Sequence, residues 1–424
     1  MSRQKTDTQS NRTKICEFIK KCAHIWAVAW ILLFVFQNPL SGFCSVFSYI
    51  DEAPLFLLAI WGITHIKYIR KENVARYNRY IILLGMFAIA GLAGNVIYRY
   101  QPVNVVIIDV ITNFKFWGAV LYFYLCICNS NFQDQCISKA AKALTVMLML
   151  LFVIDRVLNI FPAQDSLRYR LGIKSAQLFY EHPTYLAAIC AFLIALMTLY
   201  DPGKHRIYIF MNLIMLVFTL RSKALVSAAI YVVLYIFLKK LHHQKLKLWH
   251  IALAVAMAVI CACPQIYFYF IENKGSSPRS IILLTSLHIL KDYFPIGTGF
   301  ACYASHCASA YVCYSPVYVK YGFETVSELS NSTNWVFFDD QFWPIIFGQT
   351  GVIGTIGYVA LLILLFQKIQ RLAEVDTNIY MGGLFAFIFL LVSSAAEPAF
   401  NNAVAIPFAF VLALTFSKYE LLDT

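Results

Sequence analysis

The residues of this chain that are best suited to chemistry lie in one polar stretch near its C-terminal third. The stretch over 278–357 opens with Arg279 and reaches the acid pair Asp339 and Asp340 just before a glycine-punctuated apolar helix. A guanidinium binds phosphate oxygens in a bidentate manner, and a carboxylate accepts protons or caps a helix. Long polar loops of a membrane protein more often carry function than structure, because the spanning helices already satisfy the fold. We therefore take this loop as the working part.

Apolar segments make up nearly all of the remaining chain. Of its 424 residues, 60% are hydrophobic and 13% are charged, about half of the ~25% charged residues of a soluble domain. Apolar runs near the ~20 residues needed to cross a bilayer predict an all-α polytopic membrane protein with about twelve transmembrane helices. We place these spans at 25–41, 53–66, 80–98, 103–128, 143–160, 183–200, 207–220, 223–238, 248–264, 343–366, 379–395 and 401–416. The predicted layout is a basic tail over 1–24, nine spans over 25–264, one large outer loop over 265–342, three spans over 343–416 and a short C-terminal segment over 417–424.

The distribution of lysine and arginine predicts the orientation. Positive charges favour the cytoplasmic side of short loops. If the N-terminus is cytoplasmic, the cytoplasmic segments hold 22 of the 34 Lys and Arg residues, including every dense cluster. We therefore predict that both termini face the cytoplasm and that the large loop faces outward. This asymmetry also explains the net charge of +12 without a nucleic-acid partner.

Ten cations remain on the predicted outer side, although positive charges favour the cytoplasmic side. Arg221 and Lys223 interrupt the apolar run TLRSKALVSAAIYVV. Charges at such a depth are costly and mark either a ligand path or a buried ion pair. Arg168 and Arg170 are interpreted as phosphate ligands or as solvated loop residues. His182 precedes a proline at a span entry, where it contacts substrate or caps the helix.

Several other classes of chemistry have no local support in the sequence. We find no Walker-type phosphate loop, no HExxH motif and no GxSxG elbow. The cysteines show no zinc-like pairing with histidines, so we predict neither a metal nor a cofactor. Cys302, Cys307 and Cys313 lie together in the outer loop, where one disulfide is open to them in an oxidising compartment.

Four features of the chain resemble the bacterial O-antigen ligase and Wzy-type polysaccharide polymerase superfamily. They are the layout of about twelve spans with a large late outer loop, YEHPTYLA at 180–187, LRSKALVSAAI at 220–230, and Arg279 followed by PIGTGF at 295–300 and Asp340-Gln341, nine residues, then Gly351-Val352-Ile353-Gly354. In the ligase branch the last motif begins with histidine. The aspartate at this position favours the polymerase branch.

The resemblance implies a metal-independent glycosyltransferase of the bacterial inner membrane, acting on the periplasmic side. A polyprenyl-pyrophosphate-linked glycan is the donor, and its pyrophosphate lipid is the leaving group. The acceptor is a sugar hydroxyl of another lipid-linked repeat unit. A chain-length regulator is a further expected partner. The donor is already activated, so such a reaction requires no nucleotide site.

The resemblance also assigns roles to individual residues. Arg279, Arg221 and Lys223, with Arg168, Arg170 and His182 around them, are expected to bind the donor. Two adjacent acids cannot point the same way on a helix. The motif register therefore selects Asp340 as the base, and Asp339 as the cap or an orienting neighbour of the helix that begins near residue 341.

Two alternatives remain open at this point. One is an O-antigen ligase that transfers the glycan to a lipid A core. The other, from a different class, is a transporter of lipid-linked oligosaccharide. Transporters of this kind have repeated bundles and polar residues within their spans. Here Asp109 and Lys115 are six residues apart and are not expected to pair on one helix face. Most of the polar residues lie in the large loop and few lie in the spans, which favours a glycosyltransferase over a transporter.

Overall fold

The structure, a computed structural model, is built almost entirely of helices. It describes residues 2–65, 71–128, 134–161, 169–170, 172–240, 263, 267–273, 277–309, 312–332 and 337–423. Within these residues, eight helices are long and apolar enough to cross a membrane, and three shorter apolar helices accompany them. This confirms a multi-pass helical membrane protein. The count of about twelve spans stays a prediction, and the span expected at 248–264 falls outside the described residues.

The helices follow the apolar segments of the sequence closely. Two residue pairs form the only strands of the described chain, an antiparallel hairpin in which Tyr169 pairs with Lys174. The helices are α1 (Ser2–Ser41), α2 (Ala53–His65), α3 (Lys71–Tyr98), α4 (Val103–Cys128), α5 (Asp134–Leu158), α6 (Pro183–Tyr200), α7 (Arg206–Phe218), α8 (Ser222–Tyr235), α9 (Pro278–Asp292), α10 (Pro316–Lys320), α11 (Phe342–Arg371), α12 (Thr377–Ser394) and α13 (Ala405–Asp423), and the strands are β1 (Tyr169–Arg170) and β2 (Ile173–Lys174).

Helix α6 lies at the centre of the bundle. Every residue from Leu186 to Leu199 is buried, as expected of a helix that is apolar on all sides. It begins at Pro183, because proline is pre-organised for the first helical turn. It packs against α5, α7 and α12, while α3 packs on α11 and α4 packs on α13. The bundle thus surrounds the body of α6, whereas His182 at its N-terminal end is exposed.

The turn at Arg221 separates α7 from α8, as the sequence predicted. Leu220 has a left-handed backbone with φ of 53°, and α8 starts immediately afterwards with Arg221 at its N-cap position. Helix α7 is only 13 residues long. The charges therefore break an apolar run into two helices at this point, and Arg221 and Lys223 are held at the break.

The long loop before α11 has a core of its own. Helix α9 occupies its first part, and the buried side chains beyond it form a second apolar cluster. Tyr318 stacks on Phe338 with ring centroids 4.3 Å apart and on Phe323 at 5.0 Å. Aromatic residues are numerous in this loop, and from the sequence they suit either stacking on sugar rings or a belt at the membrane surface. The fully buried ones do neither and hold the loop together: Tyr303, Tyr318, Phe323 and Phe338.

Helix α11 is interrupted at Gly351, and the PIGTGF segment fills the interruption. Gly351 has φ of 59° and ψ of −157°. The peptide N–H groups of Thr298 and Gly299 donate to the carbonyls of Gly348 and Gln349, each at 2.9 Å. In return Pro295 O accepts from Ile353 N at 3.1 Å. Two motifs that are 50 residues apart in the chain are thus joined by their backbones.

We expect the contact between the two glycines to be intolerant of a side chain. A Cβ on Gly351 would lie 2.3 Å from the backbone nitrogen of Gly297, and its positive φ costs an L-residue roughly 1–2 kcal/mol even in open space. Gly351→Ala should therefore sharply lower the monodisperse fraction in gel filtration after detergent extraction. Gly85→Ala in α3 is the control, because no atom lies within 4 Å of the added carbon. Equal yields for the two variants would show that the loop does not depend on this junction.

Candidate active site

Two buried phenylalanines position the acid pair. Phe338 precedes the pair and lies in the loop core, where Tyr314 and Tyr318 surround it. Phe342 follows the pair, begins α11, and contacts Phe400 with ring centroids 5.1 Å apart. Anchored on both sides, Asp339 and Asp340 lie on a turn between the loop core and the helix bundle.

Asp340 forms an ion pair with Arg279. Both Nε and Nη2 of Arg279 donate to the same carboxylate oxygen, at 3.3 Å and 3.2 Å. Each side chain remains about one-third exposed. Burial raises the pKa of the Asp340 carboxyl, Arg279 lowers it, and the nearby charge of Glu397 raises it. The sequence prediction that these two residues share a site is consistent with this contact, but the arginine faces a carboxylate here.

A second ion pair lies beside the first. Lys223, at the start of α8, is paired with Glu397 between α12 and α13, and both side chains are largely buried. Glu397 is close enough to Asp340 for its charge to act on that carboxyl. The Phe342–Phe400 contact fixes the segment that carries Glu397. Lys223 and Arg279 therefore belong to one group of alternating charges.

Asp339 faces a cavity instead. The cavity has a volume of about 410 Å³, within the roughly 300–1,000 Å³ of pockets that hold small ligands. Asp339 and His306 line it from the loop, and α1, α4 and the start of α6 line it from the bundle. Burial raises the pKa of the Asp339 carboxyl, His306 lowers it, and the charge of Asp340 raises it further. An acid with a raised pKa in a polar cavity is a candidate proton acceptor.

A buried carboxylate of α4 determines the position of His306. Asp109 accepts hydrogen bonds from the Ser305 hydroxyl and from the Ala301 N–H, the latter at 2.8 Å. The Ser305 hydroxyl also accepts from Cys307 N at 3.1 Å and caps the short helix His306–Ala308. Asp109 does not pair with Lys115, as the spacing predicted. It ties the loop to the bundle and so places His306 over the cavity.

The floor of the cavity is a buried charged cluster. Lys115 forms ion pairs with Asp51 and, at 3.4 Å, with Glu52. Gln37 Nε2 donates to the other oxygen of Asp51 at 2.9 Å. Because a lone buried charge costs several kcal/mol, this cluster keeps Lys115 inside the bundle. Its polar groups also give the cavity a hydrophilic floor.

Side chains with amide and carboxyl groups complete the wall. Asn38 Nδ2 donates to Glu181 at 3.0 Å, and both line the cavity. His182 follows, and its Nδ1 accepts from Thr184 N at 3.3 Å, so the capping interpretation of this histidine is confirmed. A wall of amides and carboxylates can hydrogen-bond the hydroxyl groups of a sugar. The remaining amide side chains of the wall are Asn401 and Asn402.

Neither acid caps α11, so the expected capping role of Asp339 is wrong. Gln341 occupies the N-cap position, has an extended backbone with φ of −143° and makes no side-chain cap bond. The two acids also face different surroundings. From the sequence, Asp340 was expected to act as the base and Asp339 to cap the helix or orient its neighbour. In the structure, Asp339 lines the cavity and Asp340 pairs with Arg279. The helix begins one residue too late for an aspartate to cap it.

The remaining predicted cations lie elsewhere. Arg170 is in β1, and its Nη1 donates to Leu220 O at 3.4 Å, beside Arg221. Arg168 lies outside the described residues. The three loop cysteines, Cys302, Cys307 and Cys313, are all free thiols, so the open disulfide does not form between them.

Sequence reasoning missed three of the cavity and ion-pair residues. Glu397 is the only acid over 395–404, and a single acid between two apolar spans is a usable signal. Asp51, with Glu52 next to it, is a similar signal at the entry of α2. His306 carried no local signal, since its position follows from the Asp109–Ser305 contact across the fold.

No group of three metal-ligating side chains occurs in the part of the chain that the structure describes. Comparison of the chain with known protein families and with curated proteins finds no match. The proposal for its function therefore depends on the residues and geometry described above and on the resemblance of the motifs.

The charged cluster predicts a pH-dependent stability. Burial raises the pKa of Glu52 from 4.5 to about 7. The charge of Lys115 opposes this shift, and the charge of Asp51 adds to it. Between these values the unfolded chain releases a proton that the folded chain retains, so the free energy of unfolding falls as pH rises toward 7. A shift of this size corresponds to at most about 3 kcal/mol. Glu52→Gln should therefore raise the thermal midpoint more at pH 8 than at pH 5.

The control is Glu324→Gln on the exposed loop surface, which should leave the difference between the two pH values unchanged. A thermal midpoint of Glu52→Gln that tracks the wild type at both pH values would mean that the carboxyl is not held protonated by the fold.

Proposed function

We propose that the chain is a membrane glycosyltransferase that polymerises polyprenyl-pyrophosphate-linked oligosaccharide repeat units on the outer side of the bacterial inner membrane. The observation that carries this proposal is the polar cavity with Asp339 in its wall, next to the Arg279–Asp340 and Lys223–Glu397 pairs. A proton acceptor, hydroxyl-binding groups and phosphate-binding cations are the three requirements of the reaction, and they lie in adjacent parts of one site.

Asp339 is the proposed base. The acceptor hydroxyl loses its proton to this carboxylate as its oxygen bonds to the anomeric carbon of the donor. The bond between that carbon and the pyrophosphate oxygen breaks at the same time, and the pyrophosphate lipid leaves with the electron pair. A carboxylate with a raised pKa is a stronger proton acceptor once it is ionised. His306 is close enough to stabilise that ionised form.

Arg279, Arg221 and Lys223 are the proposed ligands of the donor pyrophosphate. Guanidinium groups offer paired N–H donors to phosphate oxygens, and a fixed cation lowers the energy of a departing anion. Asp340 and Glu397 neutralise Arg279 and Lys223. The donor thus replaces or joins carboxylates that already hold the cations in position. Arg221 lies two residues before Lys223, at the N-cap position of the same helix.

Deletion of the gene from the organism that encodes it tests the function. The surface glycan should then be limited to a single repeat unit on a gel, because no repeat can be added to another. Full-length polymer that remains on the carrier lipid would indicate a ligase in place of a polymerase. An unchanged glycan profile would contradict both.

The two acids should respond differently to amidation. General-base assistance is worth ~100- to ~10,000-fold, so Asp339→Asn should nearly abolish polymer formation at normal membrane abundance. Asp340→Asn should retain more activity, because it weakens an ion pair without removing the base. Asp292→Asn is the matched control, since this loop acid accepts from Tyr321 and lies outside the cavity.

Polymer length and membrane abundance of the three variants are measured side by side. Full activity of Asp339→Asn together with loss in Asp340→Asn would return the base to Asp340, the residue that the motif register selects. Full activity of both would remove the acid pair from the mechanism.

A further inference from the structure

A half-buried arginine at the end of α5 has no role in the proposed reaction. Arg156 lies in the last turn of α5, and its guanidinium is 5.0 Å from the ring centre of Phe152 and 5.3 Å from that of Phe218. Its Nη1 donates to Lys174 O at 2.6 Å. Within the described residues, its buried Nε and Nη2 atoms have no hydrogen-bond partner. Arginine stays charged in proteins, so such donors call for an anion.

Two further cations belong to the β hairpin that contacts Arg156. Lys174 lies in β2, and its carbonyl accepts the hydrogen bond from Arg156. Arg170 lies in β1. The hairpin is docked on the end of α7, where Ala176 N donates to Phe218 O at 2.7 Å. Arg170 Nη1 donates to the carbonyl of Leu220, two residues further along the same turn. The hairpin therefore joins the ends of α5 and α7 through a set of basic side chains.

The described acid of this cluster is already engaged. Both oxygens of Asp155 accept from Lys174, at 3.0 Å and 3.1 Å, and one also accepts from Phe161 N at 2.8 Å. Lys174 thus neutralises this carboxylate, and Arg156 is the next residue of α5. Asp165 and Arg168, which carry opposite charges, lie in the segment 162–168 outside the described residues. The described part of the cluster carries a positive excess at the end of a spanning helix.

The apolar surroundings of the cluster indicate a ligand with a hydrocarbon tail. Val157, Leu158 and Ile160 are 76%, 68% and 51% exposed beside Arg156. Tyr169 and Ile173 of the hairpin are also exposed. Exposed apolar residues at the end of a membrane span face lipid, and cations at this level meet the headgroups. A soluble anion would gain nothing from these apolar neighbours.

We infer that Arg156, Arg170 and Lys174 form a binding site for a phosphate- or pyrophosphate-bearing lipid headgroup, separate from the cavity of Asp339. The headgroup oxygens accept from the Arg156 Nε and Nη2 donors, and the tail lies along the exposed end of α5. This site extends the proposed function without depending on it. If the chain polymerises lipid-linked repeats, both of its substrates carry a lipid phosphate, and this site would hold the second.

Farnesyl pyrophosphate is the probe for the test, with the full chain purified into phosphatidylcholine nanodiscs and binding measured by isothermal titration calorimetry. Arg156→Gln should weaken one binding event ~10- to ~100-fold, the expected loss for charge-assisted hydrogen bonds. Arg279→Gln should leave that event unchanged. Arg170→Gln is the second variant, because among the described residues its side chain makes one long hydrogen bond, to Leu220 O at 3.4 Å, whose loss should not disturb the fold.

Lys320→Gln is the matched control. This cation also lies over an aromatic ring, 4.3 Å from that of Tyr293, but on the outer loop. It should bind the probe as the wild type does. Wild-type binding in both Arg156→Gln and Arg170→Gln would overturn the inference. Loss in Arg156→Gln with no effect of Arg279→Gln would support this site and contradict the proposed donor site.

Two further probes identify the source of the headgroup. Inorganic pyrophosphate should bind at least tenfold more weakly than farnesyl pyrophosphate at the Arg156-dependent site. Equal affinity would overturn the lipid part of the inference. Nanodiscs that contain phosphatidylglycerol should compete if any anionic headgroup fits. An absence of competition would support a site that selects pyrophosphate lipids.

Discussion

The backbone pairing between the PIGTGF segment and the broken helix α11 is the constraint on which the site depends. A helix interrupted inside a bundle leaves carbonyl groups without partners, and an unpaired backbone group costs several kcal/mol where water is absent. Thr298 and Gly299 supply the missing donors. The break is therefore stable only while the loop is docked, and the loop is fixed only because the helix is broken. Asp339 and Asp340 lie at the start of the same helix, so their position is set by this junction.

Two side chains of the bundle, one in α3 and one in α4, hold the loop by further hydrogen bonds. Asn95 of α3 accepts from Phe300 N at 2.9 Å and donates to Phe300 O at 2.8 Å, while Asp109 of α4 holds Ala301 and Ser305. Ala301 has a left-handed backbone with φ of 62°, a conformation that is costly for an L-residue unless its surroundings stabilise it. The interior carboxylate thus determines where His306 lies, although it never reaches the cavity itself.

The sequence predicts the helices of this protein well and its site only in part. Spans are local, since an apolar run of sufficient length is enough to define one, and the break before Arg221 was readable from two charges within such a run. The acid pair and Arg279 were also found, because charged residues are rare here. Their directions could not be predicted. Whether Asp339 or Asp340 faces the cavity depends on Phe338 and Phe342, whose partners lie elsewhere in the chain. The role of the loop aromatics could not be predicted for the same reason. Composition shows that they are numerous, and only the fold shows that they pack on one another.

The charge pairs explain how cations persist at the level of the membrane without substrate. An unpaired buried charge is destabilising by several kcal/mol, and one partner removed from a pair leaves that cost behind. Glu397 and Asp340 lower this cost for Lys223 and Arg279. Because the Arg279–Asp340 pair is about one-third exposed, water screens its attraction, and an anion with more charge and more acceptor oxygens can compete for the guanidinium. The side chains of Lys115 and Lys223 are each only 6% exposed, so their carboxylate partners are hard to displace. Exposure therefore separates Arg279, whose carboxylate an anion can replace, from the two lysines, whose ion pairs an anion can only join.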